Sequence, residues 1–460
     1  MTALDICTLG DKEKADIILN AAKEFGYSVH EFLNVDDVFE TTIEPTLMFV
    51  IESLAPAEVS VDELVQAGRQ QFPHAFLILI VEKELTKDKS AFLERQGVKL
   101  TFLRHEVETG KVAFAMNQLL KASYVPLKSI DLLPDHPLPF TVYHLLPQRK
   151  KFLKLIRTGD SIEVDRLPRL LENPEFYLDR GDLYGYKKFI EETSDKSPKG
   201  LAKRCRANFV ALQSEFTNLA FEVTDESSRV SFLEGQELLA RCQKLCDDLL
   251  MNLAEFPRAW EVVNGSSIGE FGSLERAPSI AAFSGMLALR ADMKRVEEIM
   301  MASLLVDMSV LTLSSKIAEV LRAGEPVLGS KTLTADEVDK YRRLSQRSID
   351  LALNRKLSIP EKLRNIIVGV YEQADGKGFP NGINDQKIMV ESQMIRFAKE
   401  FDSRIQVKMG RARKDPIEAM KEILDDPILA GVFSAEFKKL VLEKILGGDL
   451  SDLKPSEVAS

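Results

Sequence analysis

The sequence predicts a multidomain chain: an N-terminal α/β doubly wound domain, a small α+β middle module and a C-terminal all-α helical bundle. Three observations carry this. Up to about residue 122 short apolar runs alternate with amphipathic stretches, the pattern of a parallel sheet. The proline-rich "YVPLKSIDLLPDHPLPF" then breaks the pattern. From Leu201 onward apolar residues recur at helical spacing. The 460 residues suit roughly two to four domains. Hydrophobic residues make up 45%, charged residues 29%, and the mean hydropathy is −0.10, so each domain can bury its own core.

In order, "LDICTLG" reads as a strand leading into a helix from Asp11 to Phe25. "PTLMFVIES" and "AFLILIVE" are near-continuous apolar runs, as expected of central strands covered on both faces. "KLTFLR" makes a fifth strand and "ETGKVAFAMNQLLKA" the closing helix, giving a domain over residues 1–122. The module over 123–195 starts with the proline-rich connector. Two short strands, a turn at Thr158-Gly159-Asp160, a helix and the strand-like "EFYLDR" follow. After the polar linker "TSDKSPKG", residues 196–265 form two amphipathic helices, one apolar on Leu201, Cys205, Phe209, Leu212, Phe216 and Leu219, the other on Leu238, Cys242, Leu245, Leu249 and Leu253. That stripe serves either a bundle core or a stalk through which two copies dimerise. A helical domain over 266–450 and a disordered tail over 451–460 complete the chain.

The net charge of −10 argues against nucleic acid as a partner. The basic run "QRKKFLKLIR" alternates with apolar residues and reads as a solvated face. No apolar run is long enough for membrane insertion and the start has no basic leader, so a cytoplasmic location is expected. Cys7, Cys205, Cys242 and Cys246 are too scattered for a disulfide framework, and core packing is their expected role.

The first 122 residues resemble the receiver domain of two-component signalling, though its reactive positions have changed. Only Asp11 stands near the place of the acidic Mg²⁺ ligands, and Ile51 followed by Glu52 occupies the place of the phosphorylated aspartate. Val81 or Glu82 replaces the switch hydroxyl, Arg104 falls near the lysine, and His105 stands in the place of the proline. The resemblance implies a pseudo-receiver, with phosphorylation not expected.

Four segments beyond residue 300 form a second pattern: "ASLLVDMSVL", "YRRLSQRSIDLAL", "VYEQADGKGFPNGIND" and "MIRFAKEFDSRI". Together they resemble the HD-GYP domain, the cyclic di-GMP phosphodiesterase branch of the HD superfamily. That family hydrolyses a phosphodiester with metal ions held by imidazoles and carboxylates. In this sequence Val306 takes the histidine place before Asp307, Leu344 takes the next, and Val370 and Tyr371 replace the pair before Glu372. Lys399 replaces a ligand carboxylate, although Asp402 survives. All five histidines lie at or before His144, so the helical half has none. No catalytic residue, no metal and no cofactor are therefore expected. The remaining option is a carboxylate-only Mg²⁺ site from Asp307, Glu372, Asp375 and Asp402. If the helices pack as in the family, Lys399 enters the former metal cavity and pairs with Asp307.

The loop of Glu372, Asp375, Gly376, Lys377, Gly378, Phe379 and Pro380 keeps the family's form. Its glycines and aromatic-proline pair serve the fold, and Asp375 can cap the turn. The resemblance also implies a surface for signalling proteins, including diguanylate cyclase-type domains. The leading expectation is a non-catalytic signalling scaffold acting through protein contacts. A second is a metal-free sensor of cyclic di-GMP or a related dinucleotide, using Lys377, Arg396, Lys399 and Arg404. A third is a residual metal-dependent phosphodiesterase.

Overall fold

The computed structural model describes residues 5–24, 26–52, 59–122, 124–146, 151–172, 175–225, 232–256, 258–266, 274–323, 326–384, 387–406, 414–448 and 450. The tail expected over 451–460 lies outside them.

Five parallel strands open the chain: β1 (Asp5–Gly10), β2 (Ser28–Phe32), β3 (Leu47–Ile51), β4 (Phe76–Val81) and β5 (Val98–Leu103). Their order is β2-β1-β3-β4-β5, a doubly wound arrangement. Helices α1 (Lys12–Glu24), α2 (Val35–Glu40), α3 (Val61–Gln71), α4 (Lys87–Arg95) and α5 (Gly110–Ala122) join them. All five residues of β3 are buried, which explains their unbroken hydrophobicity.

The middle module departs from its reading. The stretch beginning at Tyr124, expected as a connector, forms β6 (Tyr124–Lys128), which pairs antiparallel with β9 (Glu175–Asp179). Val125 and Leu127 face inward, and Pro126 is tolerated because β6 is an edge strand. With β7 (Val142–Leu146) and β8 (Lys151–Ile156) the sheet runs β6-β9-β7-β8. Helices α6 (Leu167–Leu171) and α7 (Leu183–Thr193) complete the module.

Helices α8 (Pro198–Thr224) and α9 (Phe232–Glu255) form a hairpin rather than a free stalk. They pack on each other, on α7, and on α10 (Ala259–Ser266), α11 (Ala277–Arg290) and α12 (Val296–Leu305). The stripe read for dimerisation is largely occupied within the chain: Cys205, Phe209, Leu212, Phe216, Leu219, Cys242 and Leu249 are at most 2% exposed. The four cysteines are free and buried.

Gly110, at the start of α5, donates its amide to Leu313 O at 3.0 Å, and Thr109 bridges to Ser314. A Cβ on Gly110 would stand 2.9 Å from Val310 O, so only glycine allows this approach. Lys111 joins the contact, donating to Thr224 O at 3.0 Å and to Glu106 at 2.5 Å. The N-terminal domain thereby rests on the short helical turn that follows Asp307.

Where α8 meets α9, Glu222 lies near Glu234 and is pushed up to about 7, by partial burial first and by that neighbouring carboxylate second. A raised carboxyl favours the folded state while protonated, so this contribution is present below the usual glutamate range and lost as pH rises toward 7. Glu222→Gln is expected to flatten the fall in melting temperature across that window and to raise it at pH 8. Melting curves of both proteins at pH 5 and 8 measure this.

Candidate functional site

The C-terminal bundle adds α13 (Ser315–Ala323), α14 (Ala335–Arg342), α15 (Leu344–Asn354), α16 (Glu361–Gly369), α17 (Val390–Ile405), α18 (Pro416–Asp425) and α19 (Ala435–Leu440). Asp307 follows α12 and is 1% exposed. Its two carboxylate oxygens are both occupied. The Tyr371 hydroxyl donates to Oδ1, and the Lys399 ammonium, from α17, lies on Oδ2. The pairing expected from sequence is thus present. Lys399 also stands 5.1 Å from the centre of the Tyr371 ring, a cation–π contact that further compensates its burial.

Burial, and then the Asp307 charge, hold the Tyr371 hydroxyl well above the usual phenol range, so it remains a donor. Tyr341, pushed up to about 12 by burial, meets Tyr371 at 6.2 Å and Phe379 at 5.5 Å between ring centres. Tyr371 and Phe379 stack at 5.2 Å. Three rings therefore fill the space beside the ion pair.

Val306, Leu344 and Val370 are buried apolar residues. Two serines tie their surroundings together: Ser348 donates to Val306 O at 2.9 Å, and Ser309 donates to Leu344 O at 2.8 Å. Asp402 is not available either. Arg276 grips it with two guanidinium nitrogens, and both side chains are buried. Sequence reading missed Arg276. The available signal was a cation at the N-terminal end of the apolar helix α11, where the helix dipole disfavours one unless a carboxylate holds it.

Glu372 is 2% exposed and turns into its own loop, accepting from Asn381 N at 2.7 Å and Ile383 N at 3.0 Å. Asp375 accepts from Lys377 N at 3.0 Å, as its capping role required, and this backbone bond is the main reason its carboxyl is lowered. The loop is pinned to 431–432 through Ala374 N and Asp375 N. A Cβ on Gly378 would collide with the backbone of Glu372 and Gln373, so that position requires glycine. The surface expected of the whole loop is narrower than its sequence: Glu372 and Phe379 are buried, and Asp375 and Lys377 are exposed.

The four expected ligand-binding cations are each held by a carboxylate, and Arg396 and Lys399 both stand over the Tyr371 ring. Lys377 pairs with Asp375, Arg396 with Glu400, Lys399 with Asp307, and Arg404 with Glu400 and Asp426. Nor do the residues fit the metal centre that the family would carry. Asp307, Glu372 and Asp402 spend their oxygens on protein donors, and among the described residues no group of three or more His, Cys, Asp or Glu is placed to hold an ion.

In the N-terminal domain Asp11, Glu52 and Arg104 do meet, at the carboxyl ends of the strands. Arg104 donates to Asp11 Oδ1 at 2.8 Å and to Glu52 O at 3.2 Å, and Glu52 accepts from Glu82 N at 2.8 Å. The crevice holds a guanidinium between the Asp11 carboxylate and the main-chain carbonyl of Glu52.

Residues 266–426 match the family model of the HD domain, which places an HD domain in the C-terminal region. A solved structure titled Bd1817, a HDG"Y"P protein from Bdellovibrio bacteriovorus, is similar at 17% identity, with a TM-score of 0.45, over 71% of this chain and 100% of that one. No curated protein matches the chain. No helix among the described residues is long and apolar enough to cross a membrane.

Proposed function

We propose that this chain is a non-catalytic signalling scaffold built on an HD domain, with a pseudo-receiver at its N-terminus. The observation that carries the reading is the Lys399–Asp307 ion pair, capped by Tyr371, in the place where the HD-GYP family resemblance puts the metal centre. An ammonium on that carboxylate supplies the positive charge a metal would bring, yet it offers no vacant coordination position for a water or a phosphodiester. The Arg104 clamp supports the same reading for the N-terminal crevice, where an internal cation sits on the Asp11 carboxylate. Both modules keep their frames, so the function is assigned to their surfaces. The exposed Asp375–Lys377 tip of the signature loop is one such surface, and diguanylate cyclase-type domains are partners of suitable kind.

Metal analysis and a hydrolysis assay on the full chain test this. The purified protein is expected to hold no stoichiometric Fe, Mn or Mg and to leave cyclic di-GMP intact, with no heat of binding in a calorimetric titration. Stoichiometric metal together with turnover would overturn the reading. Saturable heat without turnover would replace the scaffold by a dinucleotide sensor.

A further inference from the structure

We propose that the free edge of β5 is a docking site for an extended basic peptide segment, which adds to the N-terminal sheet as a sixth strand. This surface is separate from the HD site and does not depend on its reading. β5 ends the sheet and pairs with β4 alone. In parallel pairing, alternate residues of an edge strand turn their N–H and C=O groups outward, a template for another strand. Here that edge opens into a cleft of about 1040 Å³, lined by residues 97–102, which include all of β5 but its last residue. The opposite wall is the α8–α9 hairpin. Phe221 and Leu238 supply its apolar floor, and Glu222 and Glu234 supply carboxylates.

The charges lining the cleft select the occupant. Most cations in the cleft are already engaged. Arg69 donates to the carbonyls of Pro73, Ala75, Gln96 and Gly97, Lys111 is held by Glu106 and Thr224 O, and Arg180 donates to Ser214 O. Arg241 faces Glu215 and Glu237. By contrast, Glu222 lies within the repulsive field of Glu234 and Asp225, offset by Arg355, and among the described residues no ion pair reaches Glu222 or Glu234. A strand laid on β5 turns every second side chain the same way. A lysine turned toward the hairpin meets the two carboxylates while its aliphatic stem rests on Phe221 and Leu238. Main-chain bonds then supply affinity, and the alternating pattern supplies selectivity. Lys99, exposed on the same edge, repels an all-basic neighbour, which favours alternation over a continuous basic run.

The probe is a fluorescein-labelled peptide of alternating lysine and valine, titrated into the full chain by anisotropy, with amide hydrogen exchange read on Val98–Leu103. Saturable binding that slows exchange along β5 is expected. Glu222→Gln/Glu234→Gln is expected to weaken binding about tenfold, and the matching glutamate–valine peptide to bind at least tenfold more weakly. Three results would overturn the proposal: no saturable binding, binding that leaves β5 exchange unchanged, or equal binding of the acidic peptide. Protection of β5 that rises with protein concentration in the absence of peptide would overturn it too, assigning the edge to a second copy of this chain.

Discussion

Lys399→Ala is expected to destabilise the helical half by about 3–5 kcal/mol, the cost of leaving one partner of a buried ion pair uncompensated. Asp307 is 1% exposed and Lys399 11%, so the carboxylate lies largely out of bulk water. Tyr371 continues to donate to Oδ1, but one hydroxyl does not offset the desolvation of a carboxylate. The double variant Asp307→Asn/Lys399→Met separates the pair from the shape of the site. It removes both charges, keeps comparable volumes and leaves Tyr371 an amide oxygen as acceptor. Most of the lost stability should return, giving a large interaction energy in the double-mutant cycle. Thermal and urea unfolding of wild type, Asp307→Asn, Lys399→Met and the double variant close the cycle, with Lys399→Ala measured beside them. A single variant that melts with wild type would mean that the pair contributes nothing. A double variant as unstable as Lys399→Ala would mean that the loss comes from packing around the lysine stem. Either outcome would remove the electrostatic account of this site.

What the sequence revealed follows from which signals are local. The parallel sheet was legible because strands such as β3, buried on both faces, read as unbroken apolar runs. The Lys399–Asp307 pair was legible for a different reason: a carboxylate on a buried apolar helix end needs a cation, and the helical half has no histidine to hold a metal there. Arg276 and Asp402 lie 126 residues apart, and no short-range pattern joins them. Strand β6 was hidden by Pro126, which reads as a breaker unless the strand is known to lie at an edge. The stripe of leucines on α8 describes one face only. In the fold Asn208, Gln213, Ser214 and Thr217 are buried as well, so neighbouring elements cover the polar faces of the helix too. In the N-terminal domain the separate readings of Asp11, Glu52 and Arg104 converged on one crevice, because the doubly wound order brings the ends of β1, β3 and β5 to one side of the sheet.

Glu372→Ala is expected to cost about 1–3 kcal/mol, because charged acceptors bind amides more strongly than neutral ones and two loop N–H groups lose the buried carboxylate that holds them. In the family resemblance this glutamate opens the signature loop, and a metal-binding role would aim it at the cavity. Its oxygens instead close the loop on itself, at Asn381 N and Ile383 N. The position therefore serves the shape of the loop. Glu372→Gln distinguishes the two roles. A glutamine keeps one carbonyl acceptor and presents an NH₂ toward the second amide, so it should lose roughly half as much as alanine, with faster exchange confined to one of the two amides. Thermal unfolding and hydrogen exchange at Asn381 and Ile383 read both effects. Since Phe379 stacks on Tyr371 and Tyr371 donates to Asp307, loosening the loop should also loosen the ion pair. The costs of Glu372→Ala and Lys399→Ala are then expected to be less than additive, as for neighbours that share a support. Strict additivity would mean that the loop and the ion pair are independent, and that the loop persists for its outer surface alone.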